Sequence, residues 1–227
     1  MRLAPALISI LCFAGPAAAG SVRGTVTFAG SRPPAARLAV TRDQAYCGTS
    51  HPDEALSVDA NGHVRDAVVF VENAPKTPLR ALLKDATLDQ VSCRYVPHVQ
   101  ALRVGTKLVA VNSDSALHTV HGTADGQTVF NQAQPIQGLK SAFPITRPGL
   151  IHVGCDAGHT WMSAWVYAFD HSYFAVTGES GGFEIGDLPP GTYTIVAWQE
   201  KLGTMKRSVQ VGKEGAVSMN LTFPAAP

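Results

Sequence analysis

Cys155, His159 and Met162 fall within eight consecutive positions of the stretch VGCDAGHTWM, in a chain of 227 residues that has only four cysteines and four methionines. A thiolate, an imidazole and a thioether form an uneven donor set. Zinc favours four strong nitrogen, sulfur or oxygen ligands in a tetrahedron, and a methionine sulfur is a poor member of that set. Copper that changes oxidation state accepts two imidazoles and one thiolate with a long axial thioether. One imidazole is therefore still wanted, and the upstream stretch VNSDSALHTVHG holds His118 and His121. Taken one at a time, each residue has an ordinary alternative. Thiols and thioethers fill cores, and a histidine is a common turn residue. Their joint order and spacing favour the metal.

The elements that must position these donors read as strands. VRGTVTF, DAVVFV, KLVAVN, LIHVGC, AWVYAF, FEIGDL, YTIVAWQ, SVQV and VSMNLTF are rich in Val, Ile, Thr and aromatics. DANGH, RPG, ESGG and LPPGT between them carry turn chemistry. An all-β sandwich or barrel follows. A helical turn or two is expected only near LRALLKDATL, residues 79–88. Strand alternation places Ile151, Val153 and Cys155 on one face and His152 with Gly154 on the other. Met162, Ala164, Val166 and Ala168 share a face likewise, so three donors converge at one end of a sandwich. Trp165, Tyr167 and Phe169 point the opposite way and are expected to dock against a second unit.

Arg2, the apolar run Leu7–Phe13 and the small residues Ala17–Ala19 have the pattern of a secretory signal, residues 1–19, cut after Ala19. Periplasmic or secreted localisation is the expectation. The run is short of the roughly 18 apolar residues of a membrane helix, and no span is expected in the mature chain. With Cys12 removed, Cys47, Cys93 and Cys155 remain. In an oxidising compartment, pairing Cys47 with Cys93 would leave Cys155 as the unpaired thiol that a metal requires. The formal charge is +1, without a basic cluster, which disfavours nucleic acid.

Two family resemblances add to this. Asn112, Asp114, His118 and Val120, followed by Cys155, His159 and Met162, resemble the paired ligand segments of the cupredoxin, or blue-copper, family. The resemblance implies a Greek-key sandwich at residues 77–171 with His118, Cys155, His159 and Met162 around one copper ion cycling between Cu(I) and Cu(II). It implies that Asn112 ties the two ligand loops together, an ordinary turn residue being the alternative, and that His159 is the electron exit near the surface; Trp161, between His159 and Met162, is placed to cover an imidazole edge or simply to pack in the core. His121 is a further candidate, as axial ligand in place of Met162 or as a neighbour of the site. The spacing also resembles half of a dinuclear copper loop of terminal oxidases, but Ile151 stands where that loop has its second cysteine, so one ion is expected.

Residues 20–76 with 172–227 resemble the carboxypeptidase regulatory-like, transthyretin-like sandwich, through Thr177, Gly182, Phe183, Ile185 and the turn Pro189–Tyr193. The metal-carrying sandwich is then inserted in, or joined to, this small scaffold, and nested and consecutive arrangements both stay open. The implied function is that of an exported one-electron carrier serving a redox protein of the periplasm. Copper binding for delivery, and a partner-binding module without redox turnover, are the alternatives. An enzyme is disfavoured, because the paired His-x-His motifs of multicopper oxidases are missing and HTVH has the wrong spacing. Neither a Ser/His/Asp set nor a paired-carboxylate set is evident.

Overall fold

A computed structural model describes residues 19–34, 36–74 and 83–225. The expected signal segment, Cys12 included, lies outside the described residues except for Ala19. Among the described residues the chain is all β, with one helical turn at Gln44–Cys47. No helix among them is long and apolar enough to cross a membrane.

Four sheets stack into layers, and residue alternation shows how. The outermost sheet pairs Gly20–Phe28 with Gly182–Leu188, Ala216–Ser218 and Leu221–Phe223. The next has the order Phe174–Val176, Val68–Val71, Gly191–Gln199, Gly203–Val211. Between these two lies an apolar core of Val22, Val26, Val69, Val71, Phe183, Ile185, Leu188, Ile195, Leu221 and Phe223. Val68 and Phe70, one step out of phase with Val69 and Val71, face the other way with Trp198. They meet Trp165, Tyr167 and Phe169 of Ser163–Phe169. The aromatic contacts are close, with ring centroids 4.9 Å apart for Phe70 and Phe169 and 5.5 Å for Trp165 and Trp198. The expected docking of the outward aromatics is thus met by the alternating pattern of two sheets, each buried on both faces.

Ser163–Phe169 belongs to the third sheet, with the order Gln127–Gln134, His118–Ala124, Gly149–Gly154, Ser163–Phe169, Val99–Arg103. The fourth is Lys140–Pro144, Lys107–Asn112, Ala86–Gln90, Tyr95–Val96. Leu88, Leu108, Ala110, Val120, Ile151, Val153, Ala164, Val166 and Ala168 fill the core between them. Fully burying each such aliphatic side chain contributes about 1.5–3 kcal/mol.

The helical turn anticipated within residues 79–88 is not found in the described part of that stretch. Ala86–Gln90 is a strand, paired in parallel with Lys107–Asn112, and it buries Leu88 and Gln90 on one face. Tertiary pairing overrides the local helical preference of Ala, Leu and Lys. Residues 79–82 lie outside the described residues. A hairpin the strand reading did not include, His118–Ala124 with Gln127–Gln134, turns at Asp125 and Gly126, both at positive φ. Asp-Gly is the sequence signal for such a turn.

Residues 37–52 leave the outer sheet and reach the far sandwich. Arg37–Ala39 and Ser50–Pro52 form a small hairpin whose tip carries the helical turn. Val40 and Cys47 from this tip are buried in the core of the third and fourth sheets. Cys47 and Cys93 form a disulfide with Cα atoms 5.5 Å apart, as the cysteine count anticipated.

Candidate metal centre

The strand Gly149–Gly154 delivers Cys155 to the open end of this core. Ile151 and Val153 are buried ahead of it, and Cys155 is a buried free thiol. The chain then turns through Gly158, at φ 93°, to present His159, and re-enters a strand just after Met162. Met162 is buried, and its N–H donates to the His159 carbonyl at 2.9 Å. His118 opens its own strand and is fully buried, as is His159. The donor atoms of His118, Cys155 and His159 all lie within 4.8 Å of one another. Three of the four expected donors therefore meet, and Met162 is buried in the same core.

The orientation of the two rings is the most informative feature. His118 Nδ1 and His159 Nδ1 face each other at 3.0 Å, and His159 Nδ1 is 3.8 Å from Cys155 Sγ. Each outer nitrogen is held by a carboxylate. His118 Nε2 donates to Asp114 Oδ2 at 2.9 Å, and His159 Nε2 donates to Asp43 Oδ2 at 2.7 Å. Carboxylate contact fixes the proton on Nε2 and leaves the Nδ1 lone pairs aimed inward at one another and at the sulfur. Two lone pairs at that separation repel unless a cation or a proton sits between them. A soft cation with nitrogen and thiolate affinity fits this set.

Burial, with a contribution from the neighbouring His159, lowers the pKa of His118, against the opposing effect of its hydrogen bond to the Asp114 carboxylate. Neutral imidazole is the form a metal takes. The Thr119 N–H donates to Cys155 Sγ at 3.3 Å, a contact that stabilises negative charge on sulfur. Tyr95 Oη donates to the carbonyls of Thr119 and Gly154, clamping the strand ends that carry the two donor segments. Burial, then the nearby Cys155 and Asp156, raise the Tyr95 pKa, so it stays a neutral donor.

Asp114 is the hub of the outer layer. Its carboxylate accepts from the N–H groups of Ser92 and Cys93, both at 2.7 Å, and from Tyr46 Oη at 3.1 Å, besides His118. Cys93, Asp114 and His118 also lie close together, but the Cys93 sulfur is spent in the disulfide and His118 Nε2 in a hydrogen bond. That group is a positioning network.

Other expected residues fall differently. Asn112 is fully buried, but its bonds run to Ala116 O, Gln134 O and the Asp114 N–H. It shapes the turn ahead of His118 and anchors it to the neighbouring strand. The link between the two donor segments is made instead by Thr119, whose N–H reaches Cys155 and whose hydroxyl accepts from the Asp156 N–H at 2.6 Å. Trp161 lies beside the imidazole as expected, 5.1 Å from the His159 ring, and its Nε1 donates to Cys93 O at 3.0 Å. His121, an odd number of steps from His118 on one strand, faces the opposite side. Its nitrogens meet Asp156 and Thr128, so it is no rival to Met162. His98 is likewise occupied, by Ser163 O and Glu200.

The expected surface exposure of His159 is not met. Its ring is wholly buried, because the tip of the 37–52 hairpin covers it. Asp43 lies 116 residues away in sequence and carries no local signal of this contact. Asp114, by contrast, was visible as part of the motif, though not as a carboxylate partner of the imidazole.

Solved structures of copper proteins are similar to part of the chain. An amicyanin variant in its Cu(I) form is 17% identical, covering 46% of this chain and 99% of its own, with a TM-score of 0.34. A purple cupredoxin from Nitrosopumilus maritimus is 21% identical, covering 37% of this chain and all of its own, with a TM-score of 0.33. A copper-containing nitrite reductase from Thermus scotoductus SA-01 is 22% identical over 37% of this chain and 22% of its own, also with a TM-score of 0.33. No protein-family model and no curated protein matches the chain.

Proposed function

We propose that this protein is an exported carrier of single electrons, with one copper ion held by His118, Cys155, His159 and Met162. The observation that carries the reading is the pair of inward-facing Nδ1 atoms beside a buried free thiol, each imidazole held from outside by a carboxylate. Bound there, copper supplies a one-electron couple between Cu(I) and Cu(II).

The chain's own part is to keep that couple reversible. Asp114 and Asp43 hold the two rings, the Thr119 N–H steadies the sulfur, and Trp161 with Met162 keeps water from the donors. A set this fixed changes little between oxidation states, which lowers the structural cost of electron exchange. Burial of all four side chains weighs against ready delivery of the metal to another protein. The way from His159 to solvent crosses the Asp43 hydrogen bond, since Asp43 is about half exposed.

In the same reading, residues 20–76 with 172–227, apart from the 37–52 hairpin that reaches the copper sandwich, form a regulatory-like scaffold around or beside that sandwich, residues 77–171, and a periplasmic redox protein is the partner. Voltammetry of the copper-loaded protein tests the function. A single reversible one-electron wave with full copper retention over repeated cycles is expected. Irreversible waves, or loss of the metal on reduction, would support delivery instead.

A further inference from the structure

The hairpin tip over His159 is unexplained by a four-donor copper site, which needs only the third and fourth sheets. It is nevertheless tied to the rest of the fold. Cys47 is bonded to Cys93, and Tyr46 Oη donates to Asp114 and accepts from the Ser115 N–H at 3.2 Å, while Gln44 Nε2 donates to Val40 O at 2.6 Å within the tip itself. Asp43 itself sits at φ 52°, in the left-handed region that costs a residue with a Cβ about 1 kcal/mol or more, with Asp and Asn penalised least. That conformation aims its carboxylate at His159 Nε2. The opposing loop makes room with Gly158, where a Cβ would come within 2.8 Å of Arg42 Cδ.

We propose that residues 40–48 are a tethered cover for the metal centre and that Asp43 is the positioning residue for His159. Delivered from outside the metal-carrying sheets, the Asp43 carboxylate keeps the proton on Nε2 and the Nδ1 lone pair turned inward. It also closes the imidazole edge to water and to competing ligands. The donor set is thus completed from two parts of the chain, and metal exchange is slow because the cover must lift first. The metal half of this inference rests on the proposed copper function. The placement of His159 by Asp43 does not.

Two substitutions separate the carboxylate from the backbone. Asp43→Gly removes the acceptor at a position where glycine is at ease, so folding is preserved. Asp43→Asn keeps both an acceptor oxygen and tolerance of positive φ. In the metal-free protein, the His159 Nε2 proton should give a sharp, slowly exchanging NMR resonance that vanishes in Asp43→Gly and survives in Asp43→Asn. In the copper-loaded protein, extraction by a strong chelator should be at least about tenfold faster in Asp43→Gly, with Asp43→Asn close to native. A protected Nε2 proton in Asp43→Gly, or native extraction kinetics, would overturn the cover. A native chain that binds no copper, yet loses the proton in Asp43→Gly, would overturn the copper function and leave the cover standing.

Discussion

The two sandwiches bury different chemistry. Between the first two sheets the core is aliphatic and aromatic, and a buried polar side chain there, Thr177, is satisfied by Val64 O and the Ala67 N–H at 2.8 and 2.9 Å. Between the third and fourth sheets the interior holds His118, His159, Cys155, Asn112, Asp114, Gln90 and Gln134 beside its valines. Buried polar groups are costly unless paired, and these have partners for all but the Gln90 Oε1 atom. Gln90 donates to Gln134, Gln134 donates to Ala110 O and Ser141 Oγ, and Asp114 takes four donors. Only the two Nδ1 atoms point at each other. One sandwich is organised for stability, and the other spends part of its interior on a site.

If that division holds, substitutions should separate stability from metal binding. The largest effect is expected for Cys155→Ser. It should abolish the thiolate-to-copper charge-transfer colour and copper retention, read by absorbance and metal analysis, while the melting temperature of the metal-free protein stays nearly unchanged. Ile185→Ala should do the reverse. Removing a buried branched side chain from the apolar core costs about 2–5 kcal/mol, read by denaturant titration, with copper stoichiometry and spectrum intact. Asp114→Asn sharpens the boundary between the two, since it weakens a hub that serves both. Copper affinity should fall about 10–100-fold in competition titrations, together with a measurable loss of stability.

A smaller effect tests the seam between the regions. Burial lowers the His98 pKa, but the hydrogen bond and charge of Glu200 outweigh it, so the folded value lies above the ordinary 6.5. The His98–Glu200 pair, 3.1 Å apart and nearly buried, therefore adds stability that is full below pH 6.5 and fades as pH rises through the raised folded value. Urea midpoints measured from neutral into alkaline pH should fall in the native chain. In His98→Gln that decline should be flatter.

Much of this was legible in the sequence because it is local. The period-two burial of Ile151, Val153 and Cys155, and of Met162 through Ala168, follows from pleating alone. The Cys47–Cys93 pairing followed from the odd cysteine count. What escaped is long-range or two-sided. Ala86–Gln90 has helix-forming residues and becomes a strand only because Lys107–Asn112 lies beside it. Asn112 has the right identity but the wrong partners, and Thr119 does the linking through a backbone N–H that no side-chain motif encodes. Asp43 could be placed over His159 only once the hairpin tip was seen to cross between sandwiches.

Copper reconstitution of the protein, followed by absorption and electron-spin-resonance spectra, decides whether His118, Cys155, His159 and Met162 hold copper. One bound copper per chain, an intense visible band from the Cys155 thiolate and a single mononuclear Cu(II) signal, bleached reversibly by one electron, are expected. A protein that stays colourless, holds no stoichiometric copper and leaves Cys155 free to react with thiol reagents would contradict copper binding there.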